Sequence, residues 1–204
     1  MMRALLLAMN RWITDGTPPP PSRFLSVETH DLVEPKDVRW PPIPGVSFPK
    51  IPHLAYRVDY GPLFESEGII TKEPPEVGEP YPVFVPQVDA DGNEIGALRM
   101  PEIVAPLATY TGWNLYNAEN GPTDVISHMS GSFIPFPRTR AERERSGDPR
   151  LSIEERYQSR EQYLGLISEA TLDLIEQGYL LDGDMPEIVE AAGRHWDYLV
   201  SSDR

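Results

Sequence analysis

The chain has 204 residues, 40% of them hydrophobic and 25% charged, with a formal net charge of −14 and no cysteine. That charge disfavours nucleic acid and anionic membrane surfaces, because both attract clustered Lys and Arg. The missing cysteines exclude disulfides, thiolate nucleophiles, iron–sulfur clusters and cysteine zinc sites, while the length suits one domain, or one and part of another, with a real core.

The chain opens with "MRALLLAMNRWITDGTPPPPS". A membrane helix needs about 20 apolar residues, and Asn10, Arg11 and Asp15 interrupt too early. A signal peptide needs an apolar run of about 7–15 residues and a small-residue cleavage site, yet Asn10, Arg11 and Trp12 follow the short run that ends at Met9. Helical spacing fits instead. Leu5, Met9, Trp12 and Ile13 share one face, Gly16 supplies the stop, and the four prolines from Pro18 forbid continuation. No N-cap residue precedes this helix, so it is expected to begin inside its apolar pattern.

Beyond it, 21 of the 23 prolines fall within residues 18–137, a density that excludes long helices there. In "RWPPIPGVSFPKIPHLAYRVDYGP" proline alternates with Trp40, Ile43, Val46, Phe48, Ile51 and Tyr56. A disordered linker is poor in such residues, so this stretch reads as extended chain strapped across a hydrophobic surface. "EPYPVFVPQVDADGNEIGALRMP" predicts a β-hairpin: Val83, Val85 and Gln87 alternate with Phe84, Pro86 and Val88, "DADGNE" turns, and residues 95–100 return. The oxygen donors Asp89, Asp91, Asn93 and Glu94 suggest a calcium loop, but Gly92 then falls at position four and Met100 at position twelve. An EF-hand needs glycine at six and glutamate at twelve. Gly92 at positive φ in a turn accounts for the same residues.

"PLATYTGWN" places Tyr110, Trp113 and Asn114 around Gly112, mixing aromatic faces with hydrogen-bonding groups. Such a mixture lines pockets. It equally suits a buried irregular segment whose polar groups satisfy the backbone. His128 sits near Ser130 and Ser132, but no Gly-x-Ser-x-Gly elbow occurs, and triads assemble across space rather than between sequence neighbours. His30, His53 and His195 show no metal-ligand spacing, so the residues call for no metal and no cofactor. The arginines of "RTRAERERSGDPR" are offset by Glu142 and Glu144 and predict a solvated helix face. Ser152 with Glu155, and Ser159 with Gln162, match the capping box. The second opens a helix with Tyr163, Ile167, Ala170 and Leu174 on one face and Gly178 at its stop. A last helix starts near Asp184, with Ile188, Ala192, Trp196 and Leu199 as its stripe.

Four strings in this order, "VPQVDADGNE", "PLATYTGWN", "GSFIPFPRTRAER" and "GDPRLSIEERYQSREQYL", resemble the C-terminal region of a family. These are the large, mostly bacterial α/β-hydrolase domain-containing proteins, and the likeness runs from about Leu5 to the end. Pro137 departs from it, where a small residue such as alanine is expected. The resemblance implies that residues 1–16 are the closing helix of an α/β-hydrolase core whose nucleophilic serine and histidine lie upstream. It implies an irregular α+β fold: that terminal helix, a Pro-rich extended and β-hairpin region over 17–137, and a helical region over 138–204. The expected activity is hydrolysis of an ester or related acyl bond in a small-molecule substrate, with the hydrolase core missing or separately encoded and this chain otherwise a docking module. On this reading Leu5, Trp12, Phe48 and Ile51 lack their partner surface. No catalytic residue carries over; Tyr110, Trp113 and Asn114 are the expected substrate contacts.

Overall fold

The computed structural model describes residues 1–127 and 130–201. The elements run α1 (Met2–Asp15), β1 (Leu32–Val33), β2 (Tyr56–Asp59), α2 (Phe64–Glu67), β3 (Glu76–Pro80), β4 (Val85–Pro86) and α3 (Pro101–Val104). Then follow β5 (Ala108–Thr111), β6 (Asn114–Leu115), β7 (Ile126–Ser127), β8 (Ser132–Pro135), α4 (Arg140–Ser146), α5 (Ile153–Arg156), α6 (Arg160–Glu176) and α7 (Met185–Ser201). This is an α+β arrangement of helices with small antiparallel sheets. Among the described residues the strands pair only in twos: β1 with β4, β2 with β3, β5 with β8 and β6 with β7. Proline explains the brevity, since each one removes a ladder donor.

The core lies where α6 and α7 pack along each other beneath the β5–β8 sheet. Leu107, Phe136, Ile153, Tyr157, Tyr163 and Ile167 are buried together there with Ala192 and Leu199. Tyr163 stacks on Trp196 at 5.2 Å, and Tyr157 meets Tyr163 edge-on at 5.2 Å. Such ring pairs contribute about 0.5–1.5 kcal/mol each beyond the area they bury. The Tyr157 hydroxyl, inside this apolar cluster, donates to the Pro106 carbonyl at 2.9 Å. Tyr163 and Ile167 of the α6 stripe and the α7 stripe therefore face this core, while Leu174 joins a second cluster with Tyr179 and Leu180.

Local capping sets the helix starts. Ser152 and Glu155 form the complete capping box of α5. At α6 the Ser159 hydroxyl accepts from Gln162 N–H, but the Gln162 side chain turns to Gln158 N–H instead, so only half the box forms. Gly178, at φ 83, follows the end of α6. In α4, Arg140 and Arg145 face solvent, Arg140 pairing with Glu144, while the half-buried Arg143 pairs with Glu155 and Arg138, just before the helix, with Glu142. These agree with the sequence reading.

Three expectations are corrected. In α1 the helix and its Gly16 stop form, but Ala4 and Leu5 are the residues turned toward the rest of the chain, Leu5 against Leu174, Tyr179 and Leu180. Met9, Trp12 and Ile13 stay exposed, the last two by 57% and 75%, so among the described residues Trp12 lacks a partner surface as expected and Leu5 does not. In the hairpin the turn forms, with Asp89 N–H bonded to the Asn93 carbonyl at 2.8 Å, but the ladder stops at one bridge, Val88 with Glu94. Val85 pairs with Val33 of β1, and residues 95–100 form no strand. Ile95 N–H still donates to the Gln87 carbonyl at 3.2 Å, while the buried Gln87 side chain bonds Arg39 N–H and the Asp37 carbonyl and ties the chain to the proline strap. Finally, the strap finds part of its surface within this chain. Ile43 is buried, and Phe48 packs on Trp40 and Trp113, whereas Ile51 remains exposed.

Candidate functional site

Residues 88–94 and β5 build the floor of a pocket. Gly92 sits at φ 79, a conformation that glycine adopts without strain. A Cβ there would lie 2.9 Å from Thr109 Cγ2 and 3.2 Å from the Trp40 ring, so the Trp40 ring can lie against the turn only because Gly92 has no side chain. Asn93, with no exposed surface, donates to the Ala108 carbonyl at 3.1 Å and accepts from Tyr110 N–H at 2.8 Å. Its amide thus bonds the backbone of β5 as a neighbouring strand would. Asp89 Oδ1 accepts from the Asp91 and Asn93 amides, and Asp89 also pairs with Arg99. Asp91 pairs with Arg156. Two of the three carboxylates that resembled calcium ligands, Asp89 and Asp91, are thus engaged in holding the turn, and Glu94 is not.

Beneath β5 a buried arginine locks the sheet to the loop before α5. Arg150 is 2% exposed; it bonds both carboxylate oxygens of Asp148, the Thr109 hydroxyl at 2.8 Å and the Ile134 carbonyl at 3.0 Å. Burial is the largest influence on Asp148 and pushes its carboxyl up. The Arg150 bonds and charge together outweigh it and hold the group below the usual range.

The pocket itself is about 130 Å³ and lies between the proline strap, β4, the turn and β5. Its wall carries Trp40, Phe48 and Trp113, whose ring centroids are 5.2–5.7 Å apart at interplanar angles of 36–88°. Pro49, Pro52, Pro86 and Val88 fill in the apolar lining, with Tyr110 and Glu94 beside them. Ser132 holds Trp113 in place, its hydroxyl donating to the Trp113 carbonyl at 2.9 Å. Burial, with the nearby charge of Glu102 adding to it, pushes the Tyr110 phenol up to about 12. Its ring meets Phe133 edge-on at 5.4 Å, and Phe133 in turn meets His195 of α7, so the phenol stays neutral at physiological pH on the helix-facing side of β5. The Glu94 carboxyl is also pushed up by burial, although the residue as a whole is exposed at the rim.

Of the expected substrate contacts, the structure brings Tyr110 and Trp113 into one pocket. Asn114 does not join them. Its Oδ1 accepts from Leu115 N–H at 2.8 Å, and it lines a separate cleft with Ser47 and Tyr116, to which Trp113 also contributes. Trp40 and Phe48 were legible as anchors but not as pocket walls, because the strap that carries them lies far upstream of Trp113. Glu94 read as a turn residue. His128 lies outside the described residues. A wider groove of about 550 Å³ runs between α1, the prolines that follow it and residues 175–183. It has no aromatic wall, and the smaller pocket combines an apolar lining with convergent polar groups, the usual make-up of a ligand site. Among the described residues no cluster of His, Asp or Glu could hold a metal ion, and no helix is long and apolar enough to cross a membrane.

Residues 1–190 match the family model of the alpha/beta hydrolase domain, so the chain belongs to that family. Comparison with curated proteins and with solved structures returns no match.

Proposed function

We propose that this chain shapes the substrate pocket of a hydrolase-type enzyme acting on ester or related acyl bonds of a small molecule. The observation that carries the reading is the aromatic pocket that joins Trp113 and Tyr110 to the proline strap, in a chain of the hydrolase family. Residues 1–16 act as the closing helix of a hydrolase core, residues 17–137 wrap it, and residues 138–204 brace the wrapping segment. The core supplies a serine, activated by histidine and an acidic partner, which attacks the substrate carbonyl; water then hydrolyses the acyl-enzyme. This chain's share is binding. The Trp113 ring receives an apolar substrate group, Tyr110 borders it from β5, and Asn114 contacts the part that extends into the neighbouring cleft. The exposed α1 residues Trp12 and Ile13 favour a second reading, in which the chain is a non-catalytic module docked onto a separately encoded core.

In the enzyme assembled with its catalytic core, Trp113→Ala is expected to raise KM for short-chain p-nitrophenyl esters about tenfold, the worth of one lost apolar contact set, with kcat nearly unchanged. An unchanged KM with unaltered thermal stability would overturn the assignment.

A further inference from the structure

The aromatic pocket carries an unmatched charge. Glu94 is the lining residue whose side chain bears a charge at neutral pH, and no basic side chain lines the pocket. Its carboxyl has no hydrogen bond or ion pair among the described residues, and it stands at the exposed rim beside an apolar wall. Burial raises its pKa, as expected of a carboxyl with no counter-charge. A second polar group is also unmet. The indole N–H of Trp40, another lining residue, is buried without a partner among the described residues. The surrounding chain, at a net charge of −14, adds a field that concentrates cations.

We propose that this pocket binds a compact organic cation, an alkyl- or methyl-substituted ammonium group. The inference rests on the reading of the same pocket as the substrate site, and it names the class of substrate group received there. Ring faces attract a cation through their quadrupoles, and tryptophan does so best. Trp40, Phe48 and Trp113 meet at interplanar angles from 36° to 88°, so they present different faces and edges rather than one flat stack. The size fits a single such group. The pocket's 130 Å³ is close to the roughly 150 Å³ of an apolar cavity that holds one benzene. A carboxylate beside the rings repels an anionic ligand and gains a partner from a cationic one. An acceptor oxygen on the same ligand would satisfy the Trp40 N–H.

The test compares choline with 3,3-dimethylbutan-1-ol, which has the same shape with carbon in place of the charged nitrogen. The full chain is titrated with each while the tryptophan indole N–H signals are followed by NMR. Choline is expected to shift the Trp40 and Trp113 signals with a Kd about five- to tenfold below that of the neutral alcohol. Glu94→Gln, whose unchanged spectrum certifies its fold, should bring the two ligands to parity, and Glu94→Asp should retain part of the difference. Equal binding of both ligands to the wild type, or a choline preference that survives Glu94→Gln, overturns the cation and leaves the pocket assignment standing. Absence of any choline-induced shift overturns it as well. The KM of Trp113→Ala judges the underlying pocket reading separately.

Discussion

The Asn93 side chain hydrogen-bonds the backbone of Tyr110, its Oδ1 accepting from Tyr110 N–H at 2.8 Å while its Nδ2 donates to the Ala108 carbonyl at 3.1 Å. One fully buried amide thus stands in for a missing strand. It fixes the turn that carries Glu94 against the strand that carries Tyr110, so the pocket floor depends on it.

Replacing Asn93 by alanine would leave a buried donor and a buried acceptor unsatisfied. Each such group costs about 1–3 kcal/mol. Asn93→Ala is expected to destabilise the chain by about 2–3 kcal/mol, lowering Tm by roughly 5–10 °C for a protein of this size. A shift below about 2 °C in a calorimetric scan would show that water or a relaxed turn replaces the amide. Choline binding should weaken together with stability, because the floor loosens as a unit.

This pairing also marks how far the sequence could be read. Helix stripes and caps depend on residues three and four apart, so Tyr163, Ile167, Ala170 and Leu174 were legible, as was the Ser152–Glu155 box. The pocket half built by Tyr110 and Trp113 was legible as a composition, aromatic rings among hydrogen-bonding groups. Its other half was not. Trp40 and Phe48 reach Trp113 through a strap with no periodicity, and Gln87 and Asn93 act by side-chain bonds to distant backbone, which no spacing encodes. In α1 the spacing identified a helix with an apolar face but not the face that its neighbours cover. Ala4 turns inward, its small side chain suited to close packing, and Trp12 outward.

Gly92 supplies a second test of the floor. At φ 79 any side chain is strained, by about 1–2 kcal/mol. The added Cβ would also press on Thr109 Cγ2 and on the Trp40 ring. Gly92→Ala should therefore cost about 2 kcal/mol in denaturant midpoint and also displace Trp40, blue- or red-shifting its fluorescence. Equal stability with an unchanged spectrum would mean that the turn can adopt another conformation at no cost. Gly147, also at positive φ but with nothing within 4 Å of a built Cβ, is the control. Gly147→Ala should cost only the backbone strain and leave the Trp40 signal alone.

The loop before α5 predicts acid sensitivity. Glu155 is held down to about 2 first by the Arg143 hydrogen bond, then by the side chain and backbone of Ser152. Asp148 is also held below its ordinary value, the Arg150 bonds and charge outweighing the burial that raises it. Both carboxyls bind protons less readily folded than unfolded. Their contribution to stability is complete above about pH 4.5, where the unfolded groups are ionised, and is lost as the pH falls toward about 2. The urea midpoint should accordingly hold level from neutral pH to about 5 and then drop steeply. Glu155→Gln separates the charge from the cap, because glutamine also completes a capping box. It should flatten part of the acid limb while leaving α5 formed. A wild-type midpoint that stays constant down to pH 3 would show that these ion pairs add nothing to the folded state, and the buried Arg150 would then need another explanation for its tolerance in the core.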